Sequence, residues 1–471
     1  MNTLVIPESI WKRAKVYLHN EKYGNFLFFF CGLNQNDNTV KFLVKDFVRI
    51  DEKDVGLADD FSTQIELPAL LNITNRAHKE NMAIVEAHNH PLSTESVTFS
   101  YTDREGYKEF VPYILDYLKK PYGATVWSNN SVDGIVWTQS FTNCQEINNV
   151  MIVGKNIINC STTSSRRVSN KKSALPDRFH RQILALGKPG QDQISSKKVA
   201  IVGLGGIGSH IAQQLTYLGV RDLVLVDFDC IRAENLNRII GAYPSDVGKP
   251  KVEIIARLIN AISGNEKTNI IRLQKNLRNG DVFNHIRNSD VIFGCVDNDG
   301  ARLILNELAL AYMIPYFDSA FGIHLKRKVI DEAGGRVVLI LPDGPCLLCC
   351  KDIDISEASY FLATPEEQIF QKERGYISGT NLPSPSIVSL DGIIASIAVT
   401  EFIALITGIR EAVQYSSYDL LKQQLNKRIV KKNVKCIHCN LSGVGDESNL
   451  TRYTIQNELN GGEGNDELAR I

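Results

Sequence analysis

The chain has 471 residues, of which 44% are hydrophobic and 22% charged, with a formal net charge of −1. This balance is ordinary for a globular protein and excludes bulk charge as a means of binding nucleic acid or an anionic membrane. At ~150 residues per domain, the length predicts two to three domains with ample cores.

Met1 to Asn20 offers only a short Leu-Val-Ile run before Pro7 and charged residues, so no signal peptide is expected and the chain reads as cytoplasmic. The apolar stretch Ile393 to Thr407 contains Ser396, Thr400 and Glu401, which predicts a buried core helix rather than a membrane span. Of the ten cysteines, four form two C-x-x-C pairs, a pattern that favours metal binding over disulfides in a chain without an export signal.

Residues 1 to 160 mix element types. Strands are expected at Asn25 to Cys31, Thr39 to Ile50, Ala83 to Ala87, Ala124 to Ser128 and Gly134 to Thr138. Helices are expected at Glu8 to Leu18, Ala69 to Asn81 and Asp103 to Leu118. The mixture predicts an α+β domain. Its chemistry lies in Glu86-Ala-His88-Asn-His90-Pro91 and Ser100-Tyr-Thr-Asp103. Histidines at i and i+2 on an extended segment face the same way, and a nearby aspartate completes a three-ligand metal site with one position open to water.

This set resembles the JAB/JAMM (MPN) metalloprotease motif, whose family removes ubiquitin-like proteins from conjugates. The resemblance implies zinc on His88, His90 and Asp103, with Ser100 helping to stabilise the oxyanion. Glu21, in Glu21-Lys-Tyr-Gly24 before an apolar strand, would be the general base, and Glu86 is a nearby alternative. The loop between Pro91 and Ser100 is longer than in many members, and a non-catalytic docking copy is the competing reading.

From Cys160 to Ala174 the sequence is polar and basic without apolar periodicity, which places a linker at residues 161–176. Beyond it, strand and helix patterns alternate: a strand at Val199 to Val202, a helix at Ser209 to Leu218, a strand at Leu223 to Asp227 and a helix at Lys251 to Ile262. Strands at Asn269 to Leu273 and Asp290 to Cys295, a helix at Ala301 to Tyr312 and a strand at Pro315 to Asp318 continue the series. This order predicts a doubly wound, mostly parallel, Rossmann-like α/β domain at 177–442.

The first junction carries Gly203, Gly205, Gly206 and Gly208, a turn whose backbone amides suit a phosphate. With Asp227 some twenty residues on, the pattern by itself allows an NAD site. Asp229, Asn235, Arg238 and Lys251 follow, and Asp297 ends a strand where open sheets place ligands and could hold Mg²⁺. The added cations suit a triphosphate.

The segment from Arg178 to Cys439 resembles the ubiquitin-activating enzyme superfamily, most closely its bacterial ThiF/MoeB/HesA-type members. The resemblance implies Mg·ATP-dependent adenylation of the C-terminal carboxylate of a ubiquitin-like or sulfur-carrier β-grasp protein. In that reading Asp227 holds the ribose, Asn235, Arg238 and Lys251 handle phosphates, and Asp297 holds Mg²⁺. One of Arg178 and Arg181, with Arg181 the choice here, would reach the ATP of a second subunit in a homodimer. Cys346-Leu-Leu-Cys349 and Cys436-Ile-His-Cys439 would form a closed structural zinc site, with Cys350 and His438 outside it. The crossover region Lys351 to Leu390, where many relatives carry a thioester-forming cysteine, contains no Cys; Cys350 is the first substitute, ahead of Cys230 and Cys295. The tail 443–471 is rich in Gly, Asn and Glu and reads as mobile.

The leading expectation is a bifunctional chain that activates a ubiquitin-like protein and processes or deconjugates it, with a conjugating enzyme as a further partner. A sulfur-carrier or cofactor-biosynthesis adenylyltransferase with a non-catalytic first half is the alternative. An NAD-dependent oxidoreductase ranks last.

Overall fold

The computed structural model of the chain describes residues 1–19, 25–36, 38–51, 54–58, 63–90, 96–162, 177–364, 367–368 and 385–455. Glu21, Pro91, nearly all of the expected linker and residues 365–366 and 369–384 of the expected crossover loop lie outside the described residues. The chain divides into two compact units. The first holds Met1–Leu175, Ala311–Met313 and Leu441–Ser448; the second holds Pro176–Leu310, Ile314–Asn440 and Asn449–Ile471.

In the first unit the strands are β1 (Asn2–Pro7), β2 (Phe26–Asn36), β3 (Thr39–Arg49), β4 (Val55–Ala58), β5 (Thr63–Ile65), β6 (Ala83–Asn89), β7 (Tyr122–Trp127), β8 (Val132–Trp137), β9 (Cys144–Val153) and β10 (Ile157–Ser161). An eight-stranded sheet runs β1-β3-β2-β6-β7-β8-β9-β10, and β1 also pairs with β9, so the sheet closes on itself. Its two faces bury separate cores. One takes Leu4, Phe29, Val85 and Ala87 with Trp11 and Ala14 of the helix Glu8–Leu18; the other takes Phe28, Phe30 and Ile84 with residues of the helices Leu67–Lys79 and Tyr101–Leu118. Alternation along β6 therefore puts Val85 and Ala87 on the first face, and Ile84, Glu86 and His88 on the face covered by Tyr101–Leu118.

The helix Glu8–Leu18 forms as the sequence predicts, and the helix expected at Ala69 to Asn81 begins slightly earlier, at Leu67. The strands β1, β9 and β10 are additions. β9 begins with exposed and half-exposed residues and gains its place from the adjacent β8 and from β1, a partner distant in sequence that periodicity does not reveal.

The expectation of a mobile tail is corrected for residues 443–455. Gly445 adopts φ +64° and its amide donates to the carbonyl of Ala311 at 2.9 Å, while the amide of Gln35 donates to Asp446 Oδ2 at 2.8 Å. A Cβ on Gly445 would lie 2.0 Å from the carbonyl oxygen of Leu33. The glycines here permit close backbone approach, a use that composition alone cannot tell from flexibility.

The second unit contains β11 (Lys198–Val202), β12 (Asp222–Val226), β13 (Asn269–Leu273), β14 (Val291–Gly294), β15 (Tyr316–Lys326), β16 (Val329–Ile340), β17 (Tyr415–Asp419) and β18 (Gln424–Lys427). Their order is β13-β12-β11-β14-β15-β16-β17-β18, parallel as far as β15 and antiparallel thereafter. Strand order reverses between β11 and β14, which opens a crevice at their carboxyl ends. The helix Val388–Thr407 is long and apolar enough to cross a membrane, yet most of it is buried in this unit. Its internal Glu401 takes two hydrogen bonds from Arg410 (2.7 and 2.8 Å) and one from the amide of Val413 (2.7 Å), which satisfies a buried carboxylate.

At the crevice β11 turns through Gly203 into the helix Gly206–Tyr217. Gly203 has φ +88°, and a Cβ there would sit 2.5 Å from the carbonyl oxygen of Cys295; Gly205 has φ −74° and open space around it. Gly203→Ala should therefore destabilise the second unit by more than about 1 kcal/mol, whereas Gly205→Ala should leave it nearly unchanged. Thermal melting of the two variants beside wild type tests the contrast; equal melting temperatures would contradict it.

Candidate functional site

The glycine turn is fastened by Asp227, the residue after β12. The amide of Leu204 donates to Asp227 Oδ2 (2.7 Å) and the amide of Asp229 to Oδ1 (2.9 Å). Burial raises the Asp227 carboxyl pKa, and the nearby charge of Lys251 opposes that rise. Lys251 opens the helix Lys251–Ser263 and places Nζ 2.7 Å from Asp229 Oδ2 and 3.6 Å from Asp227 Oδ2. Each Asp227 oxygen has a second lone pair, so a ribose hydroxyl can join the existing contacts.

The other expected nucleotide ligands are placed as follows. Gly206 and Gly208 pack tightly: a Cβ would meet Asp391 Oδ2 at 2.0 Å and the carbonyl oxygen of Gly203 at 1.9 Å, respectively. Asn235 is buried and accepts from the amide of Arg232 (3.1 Å), which shapes the short helix Ala233–Asn235. Arg238 is turned onto its own loop, donating to the carbonyl of Glu234 (2.6 Å) and to Asn237 Oδ1 (3.1 Å). Asp297 is exposed just beyond β14. Of the arginine pair, Arg178 is tied to Glu266 (3.1 Å) and to the carbonyls of Ile262 and Thr216, whereas Arg181 is exposed on the helix His180–Ser195.

Two groups at this crevice escaped the sequence reading. Asp391, in the first turn of Val388–Thr407, is buried against Gly206 and accepts from Ser386 Oγ (2.8 Å). Its signal was a charge opening an otherwise apolar helix. Arg302 donates to the carbonyl of Val296 (3.0 Å) and to Asp299 (2.6 Å), bracing the turn that carries Asp297. Asp299 and Val296 are local partners, but Asp318, whose Oδ1 lies 3.6 Å from Arg302 Nε, meets it only in the fold.

The four knuckle cysteines converge. Cys346 Sγ lies 3.7 Å from Cys349 Sγ and 3.6 Å from Cys436 Sγ, and Cys349 Sγ lies 3.6 Å from Cys439 Sγ. A tetrahedron with Zn–S bonds of about 2.3 Å has edges of about 3.8 Å, so these separations fit a zinc thiolate site and are too long for disulfides. The amide of Asn433 donates to Cys349 Sγ (3.4 Å), as a thiolate acceptor would favour. His438 bonds Glu307 instead (2.7 Å) and stays outside the set. Cys350 does not suit a thioester: it is 1% exposed, and burial together with the charge of Asp352 pushes its thiol up to about 12. Cys295 is also held well above the usual thiol range by burial, while Cys230 is half-exposed.

In the first unit, His88 at the end of β6, His90 just beyond it and Asp103 in the first turn of Tyr101–Leu118 form a second cluster. His88 Nε2 lies 3.5 Å from Asp103 Oδ1 and His90 Nε2 3.5 Å from Asp103 Oδ2. With one ligand atom from each residue, all three lie within 4.8 Å of one another, close enough to share one ion. Among the described residues His88 Nε2 is buried without a hydrogen-bond partner, an orphan that a metal would satisfy. Burial works against a charge on His88, but the neighbouring Asp103 and Glu86 carboxylates prevail and lift its pKa to about 9. The cluster thus favours a cation even without metal. Ser100 caps the helix: its Oγ accepts from the amide of Asp103 (3.1 Å) while Asp103 Oδ2 accepts from the amide of Ser100 (2.6 Å).

Glu86, the alternative base, is 2% exposed and committed: Oε1 accepts from His88 Nδ1 and Tyr107 Oη, and Oε2 from Tyr122 Oη, each at 3.0 Å.

Comparison with known proteins gives the second unit its kin. Residues 179–439 match the ThiF family. A relative named SAMP-activating enzyme E1, from Haloferax volcanii, is 31% identical over 175 residues, covering 37% of this chain and 61% of its own. Ubiquitin-like modifier-activating enzyme 5 of Culex quinquefasciatus is 25% identical over 293 residues, covering 58% of this chain and 68% of its own. A crystal structure of E. coli MccB with AMPCPP and MccA aligns over 57% of this chain and 75% of that one, at 21% identity and a TM-score of 0.46. The chain thus spans less than two thirds of the archaeal relative's length, while the family match alone takes in more than half of this chain. With the glycine turn, the Asp227–Lys251 pair and the cysteine knuckle in their order within that match, the chain belongs to the ThiF family.

Proposed function

We propose that the second unit uses Mg·ATP to adenylate the C-terminal carboxylate of a ubiquitin-like or sulfur-carrier β-grasp protein. The observation that carries this reading is Lys251, its ammonium held by Asp229 and Asp227 beside the glycine turn of a ThiF-family sheet. A cation there suits phosphates, whereas the ribose of a dinucleotide would ask only for Asp227. A carboxylate oxygen of the substrate bonds to the α-phosphorus as the bond to the β-phosphate oxygen breaks, releasing pyrophosphate. Amides of the glycine turn and the Lys251 charge stabilise the negative charge that builds there. Arg238 reaches the phosphates by releasing the carbonyl of Glu234. Magnesium held by Asp297 would neutralise the departing pyrophosphate. The names of two relatives, both activating enzymes and one for a ubiquitin-like modifier, support the substrate class.

The acyl group passes directly from the adenylate to a partner's nucleophile, whether a conjugating enzyme or a sulfur donor; the burial of Cys350 argues against a thioester there. Arg181, exposed while Arg178 is tied down, would complete the nucleotide site of a second copy in a homodimer.

The first unit, in this reading, is a JAB-type zinc peptidase that processes the same protein or its conjugates. Support comes from the orphaned Nε2 of His88 and the 3.5 Å separations around Asp103. Zinc there would lower the pKa of its bound water towards neutrality. Ser100 keeps its hydroxyl hydrogen to donate to an oxyanion while its oxygen caps the helix. Glu21 is the general base by resemblance.

Three measurements test this. ATP–pyrophosphate exchange should require a β-grasp protein ending in glycine, and Asp297→Asn should lower it about a hundredfold without shifting the melting temperature, because the side chain is exposed. Exchange that ignores the added protein would defeat the substrate assignment. Metal analysis should find two zinc ions per chain; Cys436→Ser should remove one and lower the melting temperature of the second unit. Cys350→Ser should leave exchange unchanged and abolish no thiol-sensitive adduct.

A further inference from the structure

Resting on the zinc reading of His88, His90 and Asp103, we infer that Glu86 is the positioning residue that sets the tautomer and the affinity of that centre. A carboxylate only accepts hydrogen bonds. With Glu86 Oε1 at 3.0 Å from His88 Nδ1, the ring proton of a metal-ligating, neutral imidazole would sit on Nδ1 and leave the Nε2 lone pair for the ion beside Asp103. Nε2 is the buried atom that finds no hydrogen-bond partner among the described residues. Glu86 thereby presents the correct nitrogen and, through the shared proton, makes it a stronger donor to metal.

Two further contacts lock the arrangement. Tyr107 Oη holds Oε1 and Tyr122 Oη holds Oε2, each at 3.0 Å and all within the core, so the carboxylate cannot rotate away. Phe26 stacks on the His88 ring, with centroids 5.0 Å apart, and helps fix its plane. The i, i+2 spacing on β6 puts Glu86 and His88 on one face, and the helix Tyr101–Leu118 supplies both Tyr107 and the ligand Asp103. Because both oxygens of Glu86 are engaged and buried, it does not serve as the base on a metal-bound water.

The test is zinc affinity of the full chain, by competition with a chromophoric chelator, in wild type, Glu86→Gln and His88→Ala. Glu86→Gln keeps the shape but removes the charge; it should weaken zinc at the first-unit site by ten- to a hundredfold, with the knuckle ion unaffected. Glu86→Asp, which keeps the charge but draws the oxygen back from Nδ1, should show the same loss and serves if the glutamine variant does not fold. The visible spectrum of the cobalt-substituted protein should shift in both variants, a change that a merely structural role would not produce. Wild-type affinity in the folded Glu86 variants overturns the inference while leaving the zinc reading intact. Equal zinc content in wild type and His88→Ala overturns the zinc reading itself, and the inference with it.

Discussion

The Asp227 carboxylate ties the end of β12 to the turn that follows β11, and the geometry of the nucleotide crevice depends on that tie. The amide of Leu204 would otherwise be a buried donor without a partner, and the turn would have no reason to hold Gly205 open to the crevice. Lys251 compensates the charge that this arrangement buries. Three residues from separate parts of the chain thus form one electrostatic unit, with the glycines allowing the backbone to come close enough for it.

Carboxylates play the same part elsewhere in the molecule. Glu86 collects a histidine and two tyrosines beneath the His88–His90–Asp103 cluster. Glu307 collects His438, Tyr453 and Arg452 beside the cysteine knuckle. In each case a buried negative charge is offset by several donors, so loss of one donor leaves a costly remainder. This explains why His438 turns to Glu307 and away from the cysteine cluster despite standing between Cys436 and Cys439.

The two metal clusters differ in ways that follow from their ligands. Four thiolates complete a tetrahedron and leave no position for water, which suits a structural ion. Two imidazoles and one carboxylate leave a fourth position, which suits an ion with a reaction to perform.

Much of this was legible from residue order. Short-range spacing determined the glycine turn, the two C-x-x-C pairs, His88 with His90, and the helix Glu8–Leu18, because each depends on residues a few positions apart. The alternation of strands and helices after residue 198 likewise determined the parallel sheet. Only the tertiary structure decided that Glu86 is buried and engaged by His88, Tyr107 and Tyr122, that Asp391 and Arg302 reach the crevice, and that Cys350 is buried. It also decided that the glycines near residue 445 serve close packing. These outcomes turn on burial and on partners far apart in the chain, and neither quantity is encoded in local spacing.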